Sequence, residues 1–332
     1  MKHTVLILTD ETDGTADRVA DELTLRGVPV VILDAADFPG KVSMTSTISH
    51  GQSWSGRLTT SSGDPVLDLS RVGAVYYRRP TQFVMDERMS SPERAFAYAE
   101  ARYGFGGVLN ALGAGSRPCL WVNAPVPAAH ASYKPVQLTA AAAAGLAVPE
   151  TINTSDPQAA HSWAVELGRP VIYKPRGGIW HADEGQVRAL YTTEVRDPAE
   201  LLDPKLSLTA HLFQEAVPKR FEARALVVGS KVFSVRIDAG SEAARQDWRA
   251  DYDALTYAEL QLPAEVSAAL VDLHARLGLV YGAVDLIHDT SGRWVFLETN
   301  PAGEWGWLTR ETGIPVAAAL AELMEKGPEW SR

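Results

Sequence analysis

The chain has 332 residues, with 31 Lys plus Arg against 41 Asp plus Glu, a formal charge of −10. Hydrophobic residues at 46% and charged residues at 22% are ordinary for a folded soluble chain and exclude a disordered or fibrous one, and the length accommodates about two domains of roughly 150 residues. The single cysteine, Cys119, excludes an internal disulfide and a cysteine-held zinc, the acidic balance argues against nucleic acid as a partner, and no apolar stretch approaches the roughly 18 residues of a membrane span.

The pattern opens as βαβ: a strand at Val5–Leu8, a helix over 15–26 with Ala16, Val19, Ala20 and Leu23 at helical spacing, then a strand at Val28–Leu33. Alternation over 42–48 and 54–60 predicts an inserted hairpin, and Ala74–Tyr77 resumes the buried sheet. Ser91–Leu112 begins Ser-Pro-Glu, a cap with a first-turn proline and acid, and reads as a long helix before a strand at Cys119–Val122. Two prolines stiffen Asn123–Pro127, which reads as the interdomain linker.

Helices are predicted at 128–144 and 157–168 around a strand at 148–152, followed by strands at 170–175 and 187–194. Two hairpins close the chain: Phe221–Val228 with Lys231–Asp238 about Gly229-Ser230, and Gly282–His288 with Arg293–Asn300 about Asp289–Gly292. A helix at 263–277 lies between them.

Alternation puts Glu298 and Asn300 on one strand face, and a four-residue turn would pair Asp285 with Phe296 and so bring Asp285 to that face. Such oxygen donors suit Mg²⁺ shared with substrate phosphates; solvated polar positions on an edge hairpin account for them equally well. Lys174 ends an apolar strand before Pro-Arg-Gly177-Gly178, a loop whose backbone can approach an anion, and Lys134 opens a helix that already favours anions. Gln214-Glu215-Ala-Val217 offers extended backbone for an adenine edge. Glu222 can take a ribose hydroxyl and Arg224, on the same strand face, the phosphates. Cross-strand ion pairing explains Glu222, Arg224 and Arg236 as readily. The eight histidines show no metal spacing and no matched nucleophile, so a hydrolase triad has little support.

Taken in order, Lys134, Val171-Ile-Tyr-Lys174-Pro with Gly177-Gly178, Gln214-Glu215-Ala-Val217, Glu222-Ala-Arg224, Gly282-Ala-Val-Asp285 and Phe296-Leu-Glu298-Thr-Asn300-Pro resemble the ATP-grasp enzymes over essentially the whole chain. The resemblance implies an α/β chain of α+β ATP-grasp type: a pre-ATP-grasp domain (1–125), a central lid subdomain (126–212) and a C-terminal subdomain (213–332). It implies ATP held by Lys134, Lys174, Gly177, Gly178, Gln214, Glu215, Val217, Glu222, Arg224 and Asn300, with two Mg²⁺ ions on Asp285, Glu298 and Asn300.

Val75-Tyr-Tyr-Arg78-Arg79-Pro, Trp121-Val-Asn123-Ala-Pro, Lys134-Pro-Val-Gln137-Leu, Asp247-Trp248-Arg249 and Asn300-Pro-Ala-Gly303-Glu304-Trp305-Gly-Trp307 are similar to the graspetide (microviridin-type) peptide maturases; Ala302 and Glu304 depart from the usual Asn-Gly-Gln-Trp form. That group joins side chains of a precursor peptide, with leader and acidic core, into ω-ester or ω-amide macrocycles. The resemblance implies activation of Asp or Glu as acyl phosphates, with Lys134, Lys174, Arg224 and Mg²⁺ spreading phosphoryl charge; Arg236 and Arg249 are the candidates for holding the acyl phosphate or its oxyanion. Ion pairing with Asp238, Asp247 or Asp251 is the competing role for these two arginines. Arg78, Arg79, Arg236 and Arg249 would form a basic cleft for the acidic core. Trp305 and Trp307 are either a wall for the peptide or packing for the last helix. Leader recognition is expected within about 176–212, the compartment is expected to be cytoplasmic, and a homodimer is expected from the resemblance alone. Two other functions compete: a ligase that appends an amino acid to a separate acceptor, and a non-catalytic nucleotide-dependent binding protein.

Overall fold

The computed structural model describes residues 2–175, 180–183, 186–189 and 192–330. The first unit begins with β1 (Thr4–Thr9), α1 (Gly14–Leu25) and β2 (Val30–Leu33). The Asp13 carboxylate caps α1 by accepting from the Thr15 and Ala16 amides, and Ala16, Val19 and Leu23 form its buried stripe. Three antiparallel strands follow, β3 (Val42–Thr47), β4 (Ser55–Thr60) and β5 (Pro65–Asp68), where the sequence suggested a two-stranded hairpin. Then come β6 (Val72–Arg79), α2 (Ser91–Asn110) and β7 (Leu120–Val122). The Ser90 amide donates to the Glu93 carboxylate at 2.7 Å to start α2. The parallel strands run in the order β2-β1-β6-β7. Half-buried Cys119 has its thiol pushed up by burial to about 12, which leaves it protonated at neutral pH.

The expected linker is not one. Pro125 enters the first turn of α3 (Pro125–Ala131), where its missing N–H costs nothing. Asn123 before it is 3% exposed. The expected helix at 128–144 is two, α3 and α4 (Lys134–Ala143), because Pro135 cannot continue the ladder and Tyr133 turns to extended geometry. Next come β8 (Thr151–Thr154), α5 (Pro157–Leu167), β9 (Val171–Tyr173), β10 (Trp180–Asp183), β11 (Gln186–Ala189), β12 (Thr193–Val195) and β13 (His211–Glu215). Residues 187–194 are thus parts of two strands rather than one. The order β12-β9-β13-β8 forms one antiparallel sheet, backed by α5, and β10 pairs with β11.

The last unit contains β14 (Lys219–Val228), β15 (Lys231–Ala239), α6 (Glu242–Gln246), β16 (Leu255–Leu260), α7 (Ala264–Leu277), β17 (Tyr281–Asp289), β18 (Trp294–Asn300), α8 (Gly306–Thr312) and α9 (Val316–Lys326). Its antiparallel sheet has the order β16-β15-β14-β17-β18. Gly229, at φ 59°, supplies the left-handed residue that lets β14 turn straight into β15. One face carries Ala223, Ala225, Val227, Val284 and Leu286 against α4 and α7. The other face carries Leu226, Val228, Val235, Tyr281 and Ala283, sharing one apolar cluster with β1, α1, α8 and α9. The first and last units therefore have a common core. No helix among the described residues is long and apolar enough to cross a membrane.

Asn123 ties these units together. Its amide nitrogen donates to the Tyr281 and Pro301 carbonyls at 2.7 and 2.8 Å, and its oxygen accepts from the Val280 and Tyr281 amides at 2.7 and 3.0 Å. Asn123→Ala strands these buried groups and is expected to cost ~3 kcal/mol, read from the shift of the urea transition; a loss below ~1 kcal/mol would refute the clamp.

Candidate active site

A cavity of about 1280 Å³ opens between the β12-β9-β13-β8 sheet and one end of the five-stranded sheet. The last hairpin places its floor. Asp285 stands opposite Glu298, not Phe296, because a bulge between Asp285 and Leu286 shifts the register while leaving Glu298 and Asn300 on the same side. Asp285 is buried and accepts from Arg224 Nη1 at 2.8 Å; Lys134 Nζ donates to Glu298. Burial raises the Asp285 carboxyl above the ordinary aspartate range, with Arg224 opposing it. Burial acts on Glu298 in the same sense, but Lys134 and Lys174 outweigh it and hold that carboxyl down at about 2. The pair therefore sits with unequal proton affinity.

Two carboxylates and the Asn300 amide form an all-oxygen set. The Asn300 oxygen accepts from the Ala302 amide at 3.0 Å and keeps a second lone pair. This set fits Mg²⁺, whose remaining positions would fall to water and phosphate oxygens.

Lys174 directly follows β9 on the opposite wall, and burial together with the nearby charge of Lys134 pushes its ammonium down to about 8. Gln214, Glu215 and Val217 line the cavity, as does Glu222, whose carboxyl burial raises and which accepts from Lys219. Gln214 is 0% exposed, and its Nε2 donates to Thr151 Oγ1 at 2.9 Å. The Glu215 and Ala216 amides are taken by Glu150 and Pro170, whereas the Val217 amide has no partner among the described residues. Gly177 and Gly178, with residues 176, 179, 184, 185, 190 and 191 of the segment expected to recognise a leader, lie outside the described residues.

The arginines divide. Arg249 lines the cavity, held by two parallel bonds to Asp247 at 2.9 and 2.8 Å. Arg224 lies behind Asp285, reaching the Glu304 carbonyl at 3.4 Å. Arg236 is not brought to the site. It faces Ala223, on the side of the sheet opposite Glu222 and Arg224, where it pairs with Asp238 and lies 4.2 Å from the centroid of the Phe221 ring. The expected role there gives way to ion pairing.

Nor do Arg78 and Arg79 form a basic cleft. Arg78 is buried, pairing with Asp13 and Glu304 and donating to the Ala302 carbonyl at 2.6 Å, and Arg79 bonds Glu304 at 2.8 Å. Trp305 is 0% exposed and belongs to the core, while Trp307 packs on Trp248 and Tyr257. Sequence reasoning missed Lys219 and Arg245 on the cavity wall. The spacing of Lys219 and Glu222 was the available signal for the first.

The model of the MvdD pre-ATP grasp domain matches residues 4–123. A RiPP-associated ATP-grasp ligase of Chryseobacterium gregarium, solved with ADP and a leader and core peptide, is similar at a TM-score of 0.86 and 26% identity, covering 97% of this chain and 96% of that one. Macrocyclase MdnC of Microcystis aeruginosa MRC, bound with precursor peptide MdnA, is similar at 0.79 and 26%, covering 97% and 99%. A probable alpha-L-glutamate ligase of Mannheimia succiniciproducens is 27% identical over 223 residues, 66% of this chain and 71% of its own. The chain is an ATP-dependent ATP-grasp ligase with an N-terminal pre-ATP-grasp domain, similar over nearly its whole length to ligases that act on ribosomal peptides.

Two outcomes are expected of this site. Arg249→Ala lowers ATP turnover by at least about 100-fold, whereas Arg236→Ala changes it by no more than about twofold; equal losses would refute the separation of the two arginines. Because the free enzyme holds Lys174 near 8, below the usual lysine value, a phosphate bound beside it raises that pKa again. Calorimetry of ADP binding just above that pH, in buffers of different ionisation enthalpy, should show proton uptake that Lys174→Met abolishes; proton release would contradict the placement.

Proposed function

Starting from an ATP-grasp ligase, we propose that this enzyme activates Asp or Glu side chains of a ribosomally made precursor peptide and closes ω-ester or ω-amide rings with Ser, Thr or Lys side chains of the same peptide. The observation that carries this reading is the convergence of Asp285, Glu298, Lys134, Lys174 and Arg249 on one cavity, in a chain similar over nearly its whole length to a peptide-bound ligase and a peptide-bound macrocyclase.

The peptide carboxylate attacks the γ-phosphorus of ATP, forming an O–P bond as the bond to the β-phosphate oxygen breaks and ADP leaves. The acceptor oxygen or nitrogen then bonds the carbonyl carbon, inorganic phosphate departs, and the acceptor proton passes to phosphate or solvent. Lys134 and Lys174 face the phosphates, and Val217 and the neighbouring backbone take the adenine edge. Arg249, fixed by Asp247, faces the acyl phosphate. Mg²⁺ on Asp285, Glu298 and Asn300, two ions in this reading, would neutralise phosphate charge. Arg245 on the cavity wall adds positive charge for an acidic core.

The similarity to a glutamate ligase favours a second reading, in which an amino acid is appended to a separate acceptor. Intact mass separates the two. Incubated with Mg²⁺ and ATP, an acidic precursor peptide containing Ser or Thr should lose one water per bond formed, and Asp285→Asn should lower turnover by at least about 100-fold. A gain of mass would establish the appending ligase, and an unmodified peptide would refute the ring-closing one.

A further inference from the structure

Thr299 lies between Glu298 and Asn300, and its side chain points to the opposite face of β18. β18 is an edge strand, so its outer backbone groups need partners from elsewhere. Gln137 on α4 supplies them at this residue: its oxygen accepts from the Thr299 amide at 3.0 Å, and its nitrogen donates to the Thr299 carbonyl at 2.8 Å. A second donation, to the Ala131 carbonyl at 2.7 Å, fixes which way the amide points.

The Thr299 hydroxyl is held from the other side. His274, on α7, places Nδ1 2.7 Å from the Leu270 carbonyl and Nε2 3.1 Å from Thr299 Oγ1. A carbonyl only accepts, so Nδ1 carries the hydrogen, Nε2 offers a lone pair, and the Thr299 hydroxyl donates to it. Both side chains are buried. β17 is cleared for this contact: a Cβ at Gly282 would stand 2.2 Å from His274 Nε2 and 2.7 Å from Thr299 Oγ1. An apolar pair would fill the same space without polar atoms to satisfy, so a hydroxyl–imidazole bond here contributes direction rather than burial.

We propose that His274, Thr299 and Gln137 are positioning residues that fix the spacing of Glu298 and Asn300 and thereby set how strongly Mg²⁺ assists nucleotide binding. None of them touches the reacting atoms. Mg²⁺ tolerates little departure from octahedral geometry, so a ligand strand held at its backbone and at its intervening side chain suits it better than a compliant one. This inference rests on the Mg²⁺–nucleotide reading of the site.

The test is ADP affinity by calorimetry in EDTA and again in saturating Mg²⁺, for the full-length chain and its variants. Thr299→Val keeps the shape and removes the donor. It should leave the metal-free affinity unchanged and cut the Mg²⁺ enhancement by about tenfold or more, while Thr299→Ser keeps the enhancement. A loss of folded protein alone lowers the stoichiometry and leaves the affinities alone. If Thr299→Val does not fold, His274→Leu removes the same bond from the other side and is read the same way. An enhancement within twofold of the parent in the variant that lacks the bond overturns the inference. Asp285→Asn separates this failure from failure of the site reading: if that variant also keeps the full Mg²⁺ enhancement, the metal assignment is the part that is wrong.

Discussion

Two carboxylates held on neighbouring strands repel one another, by about 3 kcal/mol at a cross-strand spacing of about 5 Å and an effective dielectric near 20. Asp285 and Glu298 are in that position, and much of the surrounding architecture is arranged about it. Arg224 takes one carboxylate and Lys134 the other. Each comes from a different element, β14 and the start of α4, so the charge balance depends on the correct packing of α4 against the sheet of the last unit. A cation with bound phosphates would take over part of this balance and free the lysine to face the nucleotide.

The backbone carrying these groups is fastened from several sides. Asn123 holds the start of β17 and the Pro301 carbonyl, Gln137 holds Thr299, and Tyr281 donates to the Gly303 carbonyl at 2.7 Å. Arg78 reaches from β6 to the Ala302 carbonyl and, with Arg79 and Thr15, to Glu304. The first unit thus buttresses the loop that follows β18. Its fully polar clamps set orientation, and the apolar cluster shared by α1 and α9 holds the units together.

Much of this was legible in the sequence because alternation and ordered spacing are local properties. The two long hairpins, α1, α2 and α7 follow from periodicity and turn residues, and Asp285, Glu298, Lys134 and Lys174 occupy places that β-strand alternation and helix starts make readable. The rest depended on facts that spacing does not contain. Pro125 and Pro127 stiffen a linker and open a helix equally well, and only packing of α3 beneath the last sheet decides between them. Arg236 follows Arg224 in a hairpin, but its face is set by the register of β14 with β15, which puts it opposite Ala223. Arg78 looked like an exposed basic patch because its partners, Asp13 and Glu304, are distant in sequence. The bulge that aligns Asp285 with Glu298 has no glycine or proline to announce it.

The central claim is that a peptide carboxylate becomes an acyl phosphate in this cavity, and oxygen tracing tests it most directly. A precursor whose Asp and Glu side chains carry ¹⁸O, incubated with the enzyme, Mg²⁺ and unlabelled ATP, should release inorganic phosphate bearing one labelled oxygen for every bond formed, because the attacking carboxylate oxygen leaves with the phosphoryl group. Bond formation with unlabelled phosphate would contradict the account and require activation by another route.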